Sequence, residues 1–128
     1  MVKRKINFRE LAKECALLAE EKKAKDIVVL DIRRLSFITD YFVIATANSY
    51  IHLDTLSDWI ISNFKKNLIY PLHKEGKGTA QWILIDYGGV IVHIFLKEAR
   101  DFYQLEKLWV EAKRINFKKI YRKKPKGK

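Results

Sequence analysis

Residues 81–96 read QWILIDYGGVIVHIFL, two apolar runs of strand length separated by Gly88-Gly89. Glycines at both central positions of a two-residue loop admit the positive φ that tight hairpins need, so the spacing predicts an antiparallel hairpin. The turn sets the register. Tyr87 falls opposite Val90, Ile85 opposite Val92 and Ile83 opposite Ile94 on one face. Asp86 falls opposite Ile91, Leu84 opposite His93 and Trp82 opposite Phe95 on the other. The first face is aliphatic with Tyr87 at its end, and reads as a core face. The second mixes aromatic, apolar and ionisable side chains, and two readings of it stand open. It is a partner-binding surface, which favours aromatics among a few polar groups. Alternatively, helices cover it, and His93 and Asp86 are hydrogen-bonded beneath them.

Working outward, residues 41–47, YFVIATA, are apolar on both faces and predict a central strand. Residues 26–32, DIVVLDI, predict another strand, and Pro71-Leu72 opens a short third one ahead of the hairpin. Between them and the hairpin, residues 75–79, EGKGT, form the most flexible loop of the domain. Its Gly-Lys-Gly-Thr lacks the spacing of a phosphate-binding loop. Phe8, Leu11, Ala12, Cys15, Leu18 and Ala19 recur at helical spacing over residues 8–22. Asn7 caps that helix, with Glu10 three residues later. Asn48 or Ser49 caps a second helix that buries Leu53, Leu56, Ile60 and Phe64, with Trp59 and Ile61 broadening the stripe. His52 sits in its first turn, where it either meets a ligand or is structural. After the hairpin, residues 99–112 predict a helix burying Phe102, Leu105, Leu108, Trp109 and Ala112, with Arg100, Tyr103 and Glu106 off the stripe.

A chain of 128 residues that is 48% hydrophobic suits one domain with a sizeable core. No apolar run approaches the roughly 20 residues of a membrane helix. The first residues, MVKRKINFRELAKEC, lack the apolar segment of a secretory signal, and Glu10 and Glu14 argue against a transit peptide. A cytoplasmic protein is expected. The single cysteine excludes an intrachain disulfide, and Cys15 on the apolar stripe reads as core. The net charge of +11 is unevenly placed: residues 113–128 carry nine basic residues and no acidic one, leaving +2 for residues 1–112. The expected division is therefore a domain over 1–112 and a basic, partly disordered tail over 113–128. Lys118, Lys119, Arg122, Lys123 and Lys124 suit a phosphate backbone, and Phe117 and Tyr121 suit packing or base stacking. A merely solvated tail is the other reading.

Catalytic constellations are not apparent. His52, His73 and His93 lie far apart on different elements, with no His or Cys pair at metal-ligand spacing. Ser49 and His52 lack a third member for nucleophilic catalysis. Asp31 and Asp86 are each single, where two-metal phosphoryl transfer needs clustered carboxylates. The chain reads as non-catalytic, with no cofactor, metal or small-molecule substrate.

Five segments carry a resemblance. DIVVLDI, SFITDYFVIATANSYIH, PLHKEG, QWILIDYGGVIVHIF and RDFYQLEKLW occur in the order and spacing of the ribosomal silencing factor family (RsfS, or Iojap-like), over roughly residues 8–110. The resemblance implies a single compact α/β (α+β) domain with a mixed sheet of about five strands and flanking helices. That fold is similar to the nucleotidyltransferase fold without its catalytic carboxylates. It implies a translation repressor that binds the large ribosomal subunit at its fourteenth protein and sterically blocks joining of the small subunit. It also implies a part in large-subunit biogenesis and a homodimer when free. Matched onto the family's pattern, Trp82, Asp86, Tyr87 and His93 are the expected protein contacts, with Glu75, Arg100 and Tyr103 beside them. The alternative is an RNA-binding assembly factor acting through the basic tail. Two departures stand out: Gly88-Gly89 where the family often has Gly-Asp, and Tyr50-Ile51-His52 where it often has Ser-Arg-His.

Overall fold

A computed structural model describes residues 6–76 and 79–118. Helix α1 (Phe8–Glu21) leads into strands β1 (Lys25–Asp31) and β2 (Tyr41–Ala47), then helix α2 (Tyr50–Lys65). Strands β3 (His73–Glu75), β4 (Trp82–Asp86) and β5 (Val90–Leu96) follow. Helices α3 (Lys97–Tyr103) and α4 (Leu105–Leu108) and strand β6 (Lys113–Arg114) complete the described chain. The sheet order is β3-β4-β5-β2-β1-β6. Among the described residues, only β2 and β5 run parallel, and every other pair is antiparallel. No helix among the described residues is long and apolar enough to cross a membrane.

The local signals explain most of these boundaries. The Asn7 side chain accepts from the Glu10 amide at 3.1 Å and starts α1. Ser49, not Asn48, caps α2 by accepting from the His52 amide at 3.0 Å. His52 is structural: its Nδ1 accepts from the Asn48 N–H at 2.9 Å, so the protonated Nε2 donates to the Lys22 carbonyl at 2.7 Å. The ring therefore ties the start of α2 to the end of α1.

Every residue of β2 and of β5 is buried, because helices pack on both sides of these central strands. On one side, α1 and α2 bring Leu11, Cys15, Leu18, Leu56 and Ile60 onto Val43, Ile83, Ile85, Val92 and Ile94. Burial pushes the Cys15 thiol far up, so it packs as a small hydrophobe and is no nucleophile. On the other side, Leu30, Ile32, Phe42, Ile44, Ile91 and Phe95 meet Ala99, Leu105, Trp109 and Ala112.

The hairpin has the expected register, from Trp82 opposite Phe95 to Asp86 opposite Ile91. Only Gly88 takes a positive φ, +91°. The second glycine answers a different need: a Cβ at Gly89 would run into the Phe8 ring at the start of α1. We expect Gly89→Ala to cost about 1–3 kcal/mol in urea unfolding, as overpacking does. Combining it with Phe8→Ala should recover part of that cost, and strict additivity of the two changes would rule the contact out.

Two expectations about the C-terminal third change. The single helix over 99–112 is broken at Gln104, whose φ of +46° separates α3 from α4. The first half also starts earlier than expected, at Lys97 directly after β5, and that junction sets which side of α3 faces the sheet. Phe102 and Leu108, expected inside, are 79% and 74% exposed, whereas Arg100, expected outside, is 9% exposed. The sheet has six strands against the expected five or so, because residues 113–114 pair with β1 at Leu30 and Asp31. The Ile115 N–H donates to the Val29 carbonyl at 2.8 Å, and Ile115 and Phe117 are buried in the core beside α1. The stretch expected to be tail thus begins inside the sheet. Phe117 packs and is not free to stack on a base.

Candidate functional site

The face of β4 and β5 opposite α1 and α2 carries Trp82, Leu84, Asp86, Ile91, His93 and Phe95. Helix α3 starts directly after β5 and folds back over one end of this face. It brings Tyr103 to the Trp82 ring, centroids 4.9 Å apart, while Trp82 lies on Phe95 at 4.8 Å. Phe102 meets Tyr103 edge-on at 4.9 Å. Phe95 is fully buried, Trp82 is half-buried, and Tyr103 and Phe102 are 50% and 79% exposed. The result is an aromatic ledge that rises from the core to the surface. An apolar surface of this kind marks an interaction site better than scattered single residues do.

Beneath the ledge, the Trp82 indole Nε1–H donates to His93 Nδ1 at 3.1 Å. That bond requires the neutral ring protonated at Nε2, which has no partner among the described residues. His93 is 5% exposed and stands edge-on to Phe42 at 4.7 Å. Burial lowers its pKa from the ordinary 6.5 to about 4. Because the folded-state value lies below the unfolded one, neutral His93 contributes fully above pH 6.5. Its contribution is lost as the pH falls toward 4. Wild-type stability should drop by about 3 kcal/mol more than that of His93→Leu over this window, measured by urea unfolding at each pH. Parallel curves for the two proteins would show that His93 does not titrate with unfolding.

The other expected residues separate into groups. Asp86, at the far end of the hairpin, accepts from the Gly88 N–H at 2.7 Å and so caps the turn. Tyr87 is 5% exposed on the opposite face, edge-on to Phe64 at 5.4 Å; burial pushes its hydroxyl pKa up. Period-two alternation sends its side chain into the α1–α2 core, so it is no surface contact. Arg100 points inward and forks onto Glu106 through Nε at 3.0 Å and Nη2 at 2.7 Å. Its Nη1 donates to the Thr46 hydroxyl at 2.8 Å. This arginine staples α4 to the sheet, with every guanidinium nitrogen bonded inside the fold and the side chain buried, so it is no surface contact. Glu75 lies exposed on the edge strand, 2.7 Å from His73 Nε2. Lys118 lies 3.4 Å from Glu20 at the surface; Lys119, Arg122, Lys123 and Lys124 lie outside the described residues. Of the expected contacts, the fold brings together Trp82 and Tyr103 in the open, with His93 buried behind them.

Sequence reasoning missed Phe102, which the helical stripe placed inside. No glycine, asparagine or proline marks position 104, so no local signal announces the break. Phe37 and Ile38, in the loop between β1 and β2, are also exposed, at 107% and 74%. The two single carboxylates are both engaged: Asp31 accepts twice from the Arg33 guanidinium, which holds its pKa below the usual carboxylate range, and Asp86 caps the turn. Among the described residues, no three His, Cys, Asp or Glu side chains form a group able to hold a metal.

The family model described as ribosomal silencing factor during starvation matches residues 5–128. The chain belongs to the RsfS family. A ribosomal silencing factor RsfS of Bacillus subtilis is 36% identical over 107 residues, covering 84% of this chain and 91% of that one. A mouse family relative, named mitochondrial assembly of ribosomal large subunit protein 1, is 36% identical over 95 residues, covering 72% of this chain and 42% of that one. A crystal structure of a protein from Chromobacterium violaceum superposes with a TM-score of 0.78 at 28% identity, covering 92% of this chain and 98% of that one. The family match includes β6 and reaches the end of the chain, beyond the segments whose motifs are distinctive. RsfS relatives carry names of regulatory ribosome factors and of large-subunit assembly.

Proposed function

We propose that this chain binds the large ribosomal subunit through the aromatic ledge of Trp82, Tyr103 and Phe102, and blocks small-subunit joining by occupying the joining surface. The receiving partner is a protein of that surface, with the fourteenth large-subunit protein as the expected one. The observation that carries the reading is the ledge itself. A family whose members are named for ribosome silencing and assembly here presents a half-buried aromatic on β4 beside exposed ones on α3. Such residues make interface anchors because they bring large apolar area at little conformational cost. The action is steric and needs no catalysis, cofactor or small-molecule substrate. It takes place in the cytoplasm, where the free protein is a homodimer. The direct test is subunit joining followed by light scattering with purified subunits and increasing amounts of this protein. The reading requires association to fall as protein is added. Unchanged association, with the protein still sedimenting on large subunits, would move the function to assembly.

A second contribution follows from charge. Residues 119–128 hold six basic residues and no acidic one, a composition suited to ribosomal RNA backbone. Removing them spares β6, Ile115 and Phe117, so it tests the tail without opening the core. Each phosphate contact steepens the log–log salt dependence of binding by about 0.7–0.9, so with all six residues engaged the truncation should flatten that slope by about 4–5. An unchanged slope would leave the tail without a role in binding.

A further inference from the structure

We propose that His93 is a positioning residue for partner recognition: by accepting the Trp82 indole N–H it locks that ring and turns its one polar group inward, so that at Trp82 the partner meets hydrocarbon alone. The inference rests on the reading of Trp82 as a contact, and adds what that contact recognises. An exposed tryptophan ordinarily offers its N–H to a partner or to water. Here the N–H is used internally, 3.1 Å from Nδ1 of an imidazole that is itself 5% exposed. The ring is fixed from three directions: Phe95 packs against one side at 4.8 Å, Tyr103 flanks it at 4.9 Å, and His93 holds its nitrogen. His93 is in turn fixed by Phe42 and Phe95, at 4.7 Å and 6.2 Å. What Trp82 then presents is apolar, as is Phe102 on the far side of Tyr103, and the partner group that fits the Trp82 ring is an apolar depression on a protein. A hydrogen-bond acceptor placed opposite Trp82 would find no donor. His93 never touches the partner and acts through Trp82.

The test uses nitrogen-15-labelled full-length protein and purified large subunits. The chain has three tryptophans, and Trp82→Phe assigns the indole signal of Trp82. In the wild type, the Trp82 N–H should exchange with solvent at least about tenfold more slowly than a free indole. His93→Leu removes the acceptor and should release that protection, with binding to large subunits weakened about tenfold. His93→Gln, whose amide oxygen can accept, should restore both to within about threefold. A His93→Leu protein that is folded, has a freed indole and binds as the wild type does overturns the positioning role alone. Wild-type binding by Trp82→Ala overturns the contact reading, and the inference falls with it. An unprotected Trp82 N–H in the wild type overturns the inference with no variant needed, which covers the case in which His93→Leu does not fold.

Discussion

Trp82→Ala should weaken binding to isolated large subunits by about 30-fold or more, the loss expected when an interface anchor is truncated. The change removes the middle of the ledge, so Tyr103 loses its neighbour at 4.9 Å and the face of Phe95 opens. Because Trp82 is half-buried at the start of β4, the fold should survive, and circular dichroism should report an unchanged spectrum. Subunit joining measured by light scattering should then proceed as if no factor were present. Tyr103→Ala should show the same defect at smaller size, since its ring lies half in solvent. If both variants bind and inhibit like the wild type, the ledge is not the contact.

Arg100→Ala should destabilise the protein by about 3 kcal/mol, the lower end of the range for opening a buried pair. Arg100 is 9% exposed, and its fork satisfies both carboxylate oxygens of Glu106 and the Thr46 hydroxyl. Glu106 is 26% exposed at its side chain, so water can reach it after the loss, which moderates the cost. The guanidinium holds the Glu106 pKa below its ordinary value. The pair therefore stabilises fully above the usual carboxylate range and weakens as pH falls through it. Urea unfolding at neutral and acid pH checks both points: the difference between wild type and variant should shrink with acid. Arg100→Lys should keep only part of the stability, because an ammonium cannot span two oxygens and a hydroxyl in one plane. An Arg100→Ala protein as stable as the wild type would mean that α4 is held by Leu105 and Trp109 packing alone.

The hairpin was legible because two independent signals agree there. Period-two alternation fixes the faces, and Gly88-Gly89 fixes the turn. Strand β2 was legible as central from an unbroken apolar run, and it is buried at every residue. The mixed face illustrates where such reasoning stops. The covered reading holds over part of the face, and the rest of it stays open to solvent. Helices α3 and α4 bury Ile91, His93 and Phe95, yet leave Trp82 and Tyr103 partly open. Alternation tells which face a side chain takes, but coverage depends on where later helices lie: α3 follows β5 directly, and α4 turns off it at the αL residue Gln104. Arg100 changed from an exposed to a stapling residue for the same reason. Strand β6 was illegible because Lys113-Arg114 has no β-branched or aromatic residue, and pairing with β1 overrides weak propensity.

The two margins of the sheet have a consequence for assembly. One margin is β3, three residues, His73-Lys74-Glu75, all exposed; the other is β6, two residues, Lys113-Arg114, also exposed. Short, charged outer strands are the device by which β-proteins discourage edge-to-edge growth. A second copy or a partner strand laid along either margin would gain few backbone bonds and would bring charge into a desolvated seam. Both margins thus disfavour sideways extension of the sheet, which leaves its faces as the better surfaces for association without polymerisation.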